Sequence, residues 1–476
     1  MADIYIVYAS EDLDVASKLN DRLSPLWDIW WDDKIVGDFA KAIEEEVPKA
    51  ACILPLFSYS SRSKATFKDE LRIGNQYGKQ ILPIELDDSD PPYPYGTLSR
   101  VDLRGWDGEE DHSGFLQLKR KLASVVDMKE KPKRPAVISN EGIPLPTLFL
   151  SVSSYNTRLE PVDAIKILRL FKAPTILVSA YDLVPIGKPK TIPKTIINEL
   201  KKYRKTGGFI LIDSGNYEAS RLADEQWSSD QLKEVLSYTP HDWVFSFDKA
   251  DESVPFPSSG RRKNVKLIVE SVKQAQKYTT APVLPVVHSK KLQKGYDLKH
   301  LPQTIREIAE KLEPKLIAVP ERELGAGLLD RARMVQAIRE ELSKLPFYQP
   351  LHLLGTGDPW SIAILAAAGA DTFDGLEWCR MVVDCSLNRL HHYQHFDFFA
   401  YQTLLADSPV VKAALENGDK TGYESLVAFH NLDYFVNLMN RLRDYVMKDN
   451  METFITRIIG NEAADELNQK VPGLFK

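Results

Sequence analysis

Eight apolar runs between residues 147 and 376 each end in a small or charged polar residue, and no other feature of the chain limits its fold as much. They read LFLSV (148–152), TILVSAYD (175–182), GGFILIDSG (207–215), WVFSFD (243–248), PVLPVVH (282–288), LIAVPE (316–321), LHLLGTG (351–357) and DTFDG (371–375). Segments able to form helices separate most of them. Strands alternating with helices over a stretch of roughly 250 residues match a (β/α)8 barrel. In that architecture the carboxyl ends of the strands carry the chemistry. Asp182, Asp213, Asp248, His288, Glu321, Asp358 and Asp374 are therefore expected around one mouth. So many ionisable groups on one rim point to an enzyme-derived scaffold.

The chain has 476 residues, too many for one ordinary core, so at least two domains are expected. Its 43% hydrophobic and 27% charged content is that of a folded globular protein. No stretch approaches the roughly 20 apolar residues of a membrane span, and MADIYIVYASED lacks a basic start and a cleavage site. A cytoplasmic location without a membrane partner is the expectation. Cys52, Cys379 and Cys385 show no C-x-x-C spacing, which favours reduced thiols over a disulfide framework or a thiolate knuckle.

Charge is unevenly distributed. Residues 1–128 hold 15 Lys and Arg against 24 Asp and Glu, and the remainder holds 46 against 43. The two parts read as separate modules, joined by the Pro- and Lys-rich segment 129–146 (KEKPKRPAVISNEGIPLP) as linker. The second module, near neutrality, is no polyanion binder by charge alone, so a nucleic-acid contact needs a local patch.

In residues 1–128 the pattern runs strand (4–9), helix (12–23), strand (26–31), helix (39–47), strand (51–58), helix (64–77), strand (80–86) and strand (100–106). This alternation predicts a flavodoxin-like five-stranded parallel sheet wound on both faces, with ligands outside the carboxyl ends of its strands. Those ends carry Ser10-Glu11-Asp12, then Trp31-Asp32-Asp33-Lys34, then Ser58 to Ser63.

The opening IYIVYASED, the loop WWDDKIVGD and the serine-rich FSYSSRS before a helix bearing Glu70 resemble the TIR domain. The resemblance implies that Glu70 is the catalytic glutamate of a NAD+-cleaving domain, with Ser10, Trp31, Asp32, Lys34, Phe57 and Ser58 near the substrate. It also implies self-association through TIR domains. The family often has Trp four residues before the glutamate, where this chain has Thr66 with Phe67 beside it. The chemistry is intelligible in itself. Breaking the nicotinamide–ribose bond passes through an oxocarbenium-like state that one carboxylate can stabilise, and nicotinamide leaves as a neutral amine without a general acid. The bland alternative is an ordinary solvated helix acid.

FILIDSGNYE (209–218), WVFSFD (243–248) and LHLLGTGDPWSI…AAGADTFDG (351–375) resemble the tRNA-guanine transglycosylases and their DNA-modifying relatives, from about residue 145 to about 448. The resemblance implies Asp374 as nucleophile, Asp213 as second acid and Asp248 on the incoming base, with Arg380 matching a family arginine. A carboxylate can attack C1′ while a second acid protonates the departing base. Gly355 and Gly357 offer a backbone approach to a phosphate, or simply a tight turn. Two loops depart from the family. Its Gly-Gly-aromatic-Gln becomes Gly215-Asn216-Tyr217-Glu218, and its glutamine-bearing loop becomes Val287-His288-Ser289-Lys290. These changes imply altered base specificity. The family's zinc cysteines fall on Leu390, His392 and His395, with His430 as the later histidine. A three-histidine zinc site at His392, His395 and His430, the first two on one helical face, stands against a lost site in a packed aromatic segment.

The domain expectation is thus a TIR domain at 1–128, a linker at 129–146, a barrel at 147–402 and a helical extension at 403–476. The leading functional expectation is a NAD+-cleaving effector of antiphage type, licensed by a barrel that binds a base, nucleotide or nucleic acid. The alternatives are a base-exchanging transglycosylase with the TIR domain as adaptor, and a non-enzymatic signalling scaffold.

Overall fold

The computed structural model describes the chain except for residues 1–2, 32–38, 139–140, 155–156, 158, 185–192, 249–257, 394–399, 407–408, 418–422 and 476. The described residues form two compact units, one built on Met1–Lys133 and one on Arg134–Leu342 with Gln349–Lys476.

The first unit runs β1 (Ile4–Val7), α1 (Leu13–Leu23), β2 (Ile29–Trp30), α2 (Phe39–Glu46), β3 (Cys52–Phe57), α3 (Tyr59–Ser63), α4 (Ala65–Gln76), β4 (Gln80–Ile81), β5 (Ile84–Glu85), β6 (Val101–Asp102) and α5 (Ser113–Ala123). Its strands are parallel in the order β2-β1-β3-β5-β6, with β4 also on β3. The sheet has six strands rather than the expected five because the run 80–86 is cut at Leu82-Pro83, where proline has no N–H for the ladder. Period-two alternation gives the sheet two buried faces. Ile4, Ile6, Leu54 and Leu56 pack with Leu19, Leu23, Phe115 and Leu118. Tyr5, Val7, Ile53 and Phe57 pack with Phe67 and Leu71 of α4.

The second unit opens with an antiparallel hairpin, β7 (Val137–Ile138) and β8 (Ile143–Pro144). Barrel strands β9 (Thr147–Val152), β10 (Thr175–Ser179), β11 (Phe209–Asp213), β12 (Trp243–Phe245) and β13 (Val283–Leu284) follow. A small hairpin, β14 (Lys290–Lys291) and β15 (Tyr296–Asp297), precedes β16 (Ile317–Pro320), β17 (Leu351–Leu354) and β18 (Thr372–Gly375). The eight long-sheet strands are parallel in the order β13-β12-β11-β10-β9-β18-β17-β16. Two hydrogen bonds join the ends, Val287 N to Ala318 O (2.8 Å) and Ala318 N to Pro285 O (3.0 Å). The result is a nearly closed parallel barrel, and each expected run supplies one strand.

The interior is filled by Phe149, Leu177, Leu211, Trp243, Phe245, Leu284, Val286 and Ala318, together with Ile138, Ile143 and Leu145. The last three belong to the segment expected to be a linker. From Arg134 onward that segment is instead part of the barrel unit, because its apolar residues are buried and Arg134 pairs with the fully buried Asp371 at 2.6 Å. Beyond β18, a short helix (Glu377–Arg380) leads into the hairpin β19 (Met381–Asp384) and β20 (Arg389–His392). Helices Pro409–Glu416, Tyr423–Met447, Met451–Ile459 and Asn461–Lys470 complete the unit. The buried amide of Asn431 ties the long helix to this region, accepting from Val383 N (3.0 Å) and donating to the carbonyls of Trp378 (2.9 Å) and Met381 (2.7 Å). Among the described residues no helix is long and apolar enough to cross a membrane.

Candidate functional site

In the first unit, Phe67, Glu70, Leu71 and Gly74 form the buried stripe of α4, an i, i+3, i+4, i+7 pattern that turns Glu70 inward toward the sheet. Glu70 is only 8% exposed, and Tyr5 on β1 donates its hydroxyl to Glu70 Oε2 at 3.0 Å. The Tyr5 ring stacks on Trp30 at 4.6 Å and 13°. The strand register explains the arrangement, since Tyr5 is paired with Trp30 across β1 and β2 and both side chains share the face covered by α4.

Sequence reasoning missed Tyr5 and Trp30. The residue it chose, Trp31, points to the opposite face, where it packs in the core beside Tyr8. Period-two alternation carried the signal. Phe57 is on the correct face but fully buried, its ring packed by Phe67 and Tyr95, so it has no surface for a ligand. Ser58 is occupied too. It caps α3 through Ser61 N and donates to Asp12 Oδ2 at 2.7 Å. Burial, reinforced by the charges of Asp87 and Glu11, raises the Asp12 carboxyl above its ordinary range despite the Ser58 hydrogen bond. Ser10 is exposed and lies against Glu11 and Lys64. Asp32 and Lys34 lie outside the described residues.

In the second unit, parallel strands put the expected acids at one end of the barrel. Asp374 on β18 is buried and accepts three hydrogen bonds, from Ser151 Oγ (2.9 Å), Gly355 N (2.8 Å) and His352 Nε2 (3.2 Å). His352 is fully buried between the rings of Phe149 and Phe245, with Nδ1 2.8 Å from Thr372 Oγ1. The set is satisfied when Nε2 carries the proton and Nδ1 accepts from Thr372. Asp213 ends β11, and its carboxyl is held well above the ordinary range, first by burial and then by the charges of Glu218, Asp248 and Asp374. Asp213 thus lies within electrostatic reach of the other three carboxyl groups.

Asp248 is tied down. Asn216 donates to its Oδ1 at 3.1 Å and His288 Nε2 reaches its Oδ2 at 2.6 Å. His288 is buried, and its Nδ1 lies 3.0 Å from Glu323 Oε1. Burial opposes charge on this imidazole, yet the two carboxylates outweigh it and push its pKa up to about 10. Glu323 also accepts from Ser289 N at 2.8 Å, and Glu321 pairs with Arg331 at 2.7 Å. Glu218 is buried with one oxygen on Ser153 Oγ (2.8 Å), and burial raises its carboxyl. Asp182 takes the hydroxyl and the backbone N–H of Ser154, and Asp358 caps the helix Pro359–Ala367 through Ser361 N.

At the glycine corner Gly355 N donates to Asp374, and a Cβ on Gly357 would meet Glu377 Oε2 at 1.8 Å. Arg380 is paired with the same Glu377 at 2.7 Å. His392 lies on strand β20, paired with Met381, and not on a helix, because the hairpin replaces the expected helical face. His430 is buried on the long helix with Nε2 3.0 Å from Val383 O. His395 lies outside the described residues, and among those described no group of three His, Cys, Asp or Glu side chains is arranged to hold a metal. Ser151, His352, Glu323 and Glu377 were missed in the sequence because their roles depend on strand register and loop packing.

A doubly wound parallel sheet with a buried glutamate under an aromatic pair, and an eight-stranded barrel with clustered carboxyl groups at one end, define a two-module α/β protein. Residues 4–119 match the family model of the TIR domain and form such a domain. A stretch of 176 residues is 28% identical to the tRNA-guanine(15) transglycosylase of Methanopyrus kandleri, covering 36% of this chain and 36% of that protein. The match thus spans only about a third of the relative's length.

Proposed function

We propose that the TIR domain cleaves NAD+ at the nicotinamide–ribose bond and that the barrel, by binding a base, nucleotide or nucleic acid, governs that activity. The observation that carries this reading is the buried Glu70 carboxylate held by Tyr5 beneath the Tyr5–Trp30 stack. As the bond breaks, nicotinamide leaves with the bonding electron pair as a neutral amine, and positive charge grows at C1′. Glu70, held in a poorly solvated place, stabilises that charge until water or an adenine nitrogen attacks. Trp30 supplies an aromatic face on the Glu70 side of the sheet. Self-association through TIR domains is part of the proposal, as are a cytoplasmic antiphage role and NAD+ as substrate. The test is nicotinamide release from NAD+ by the full chain, with and without nucleotides, tRNA and DNA. Release abolished by Glu70→Ala supports the reading, and release that survives it sinks the reading.

A second reading, base exchange in tRNA or DNA by the barrel, is favoured by the convergence of Asp213, Asp248 and Asp374. There Asp374 attacks C1′ and the protonated Asp213 gives its proton to the leaving base. The clamp of Asn216 and His288 on Asp248 occupies the carboxylate that would hold the base, which is why this reading comes second. Failure to incorporate labelled guanine or a deazaguanine into tRNA or DNA would count against it.

A further inference from the structure

Beside the acidic end of the barrel lies a cavity of opposite character. It has a volume of about 680 Å³, within the range that holds a small ligand, and is lined among others by Lys294, Tyr296, Arg322, Leu324, Arg333 and Met334. Arg333 is already engaged, with Asp330 at 2.8 Å and the carbonyl of Lys470 at 2.9 Å. Lys294 and Arg322 are exposed, and no carboxylate pairs with either among the described residues.

The local sequence Glu321-Arg322-Glu323 explains how a cation reaches this place. Both glutamates are buried and satisfied, by Arg331 and by His288 with Ser289 N, so the residue between them is turned outward. The Arg322 guanidinium lies 5.1 Å from the ring centroid of Tyr217, and Arg221 lies 5.2 Å from the same ring. The ring contact holds the exposed Arg322 guanidinium beside Tyr217, and a guanidinium so held suits a phosphate. Tyr296, Leu298 and Met334 add an apolar wall against which a planar base can lie.

We infer that this cavity binds a small phosphorylated nucleotide, with the phosphate on Lys294 and Arg322 and the base against the Tyr296 wall. The inference rests on the reading of the barrel as the ligand-sensing part of the protein and names the ligand class for it. The anionic group is a phosphate monoester carried by a free mononucleotide, which the size of the cavity favours over a strand end.

Calorimetric titration of the full chain with adenosine and guanosine 5′-monophosphates, the parent nucleosides and a single-stranded decanucleotide tests it. We expect one monophosphate to bind and its nucleoside to bind at least about tenfold more weakly, the effect of one charge-assisted contact. The double variant Lys294→Ala/Arg322→Ala should lose at least about tenfold in affinity with an unchanged melting temperature, since both side chains are exposed. Equal binding of nucleoside and nucleotide, unaltered binding by the double variant, or binding of the decanucleotide alone would overturn the inference. Nicotinamide release measured on the same samples separates the two readings. Nucleotide binding that leaves release unchanged removes the regulatory reading and keeps the site, whereas release without nucleotide binding removes the site alone.

Discussion

Replacing His288 with glutamine probes the buried imidazole clamped between two carboxylates in the barrel. The imidazole sits 2.6 Å from Asp248 and 3.0 Å from Glu323, and its pKa is pushed up to about 10. A histidine whose folded value exceeds its unfolded value near 6.5 contributes stability that is fully present below pH 6.5 and is lost as pH rises through 10. The difference corresponds to on the order of 3–5 kcal/mol. Glutamine keeps hydrogen-bonding capacity but no charge, leaving two carboxylates without their cation, a loss of similar size. For a unit of roughly 340 residues the unfolding entropy converts this to a fall of about 4–7 °C in the barrel melting transition. Differential scanning calorimetry of wild type and variant side by side records the transition that moves. At pH 6.5 we expect that fall in His288→Gln, and between pH 7 and 10 a decline in the wild type that the variant lacks. Imidazole nitrogen shifts in an NMR titration report the same event directly. A histidine that titrates near 6.5, or equal pH sensitivity in both proteins, would refute the clamp.

Three further outcomes follow from the geometry. Tyr5→Phe removes the hydroxyl on Glu70 and should slow nicotinamide release by about tenfold or more while the fold is retained, read as a fall in kcat with circular dichroism unchanged. Asp371→Ala should destabilise the barrel unit by about 3–5 kcal/mol in denaturant titration, because Asp371 is fully buried and accepts from Arg134 and Arg339 at 2.6 Å each and from Leu351 N at 2.8 Å. Gly357→Ala places a Cβ 1.8 Å from Glu377 Oε2 and should cost about 1–3 kcal/mol, with Glu377→Ala in the same chain recovering most of it; no recovery would place the strain elsewhere.

Both architectures were legible because each rests on local periodicity. The eight barrel runs and the strands of the TIR sheet are short, apolar and separated by helices, so their existence and parallel arrangement follow from pattern and chain connectivity. The acids at strand ends were legible for the same reason, since parallel strands put all their carboxyl ends on one side. Glu70 was marked by its place on the apolar stripe of α4, three residues after Phe67.

What only the tertiary structure decided is which side chains meet. The choice between Trp30 and Trp31 turns on a one-residue alternation set by the pairing of Tyr5 with Trp30, and a shift of one residue moves a side chain to the other face. His352 and Ser151 reach Asp374 from strands 22 and 223 residues away in sequence, and Glu323 reaches His288 from a loop 35 residues on. The supposed linker became barrel from Arg134 because a buried partner, Asp371, lies 237 residues further along. Periodicity is a property of neighbours in sequence, so the chain alone determined its strands, helices and the side of each sheet end. Hydrogen bonds, ion pairs and the sign of the charge in each pocket depend on groups brought together by closure of the barrel, and closure is a property of the whole fold.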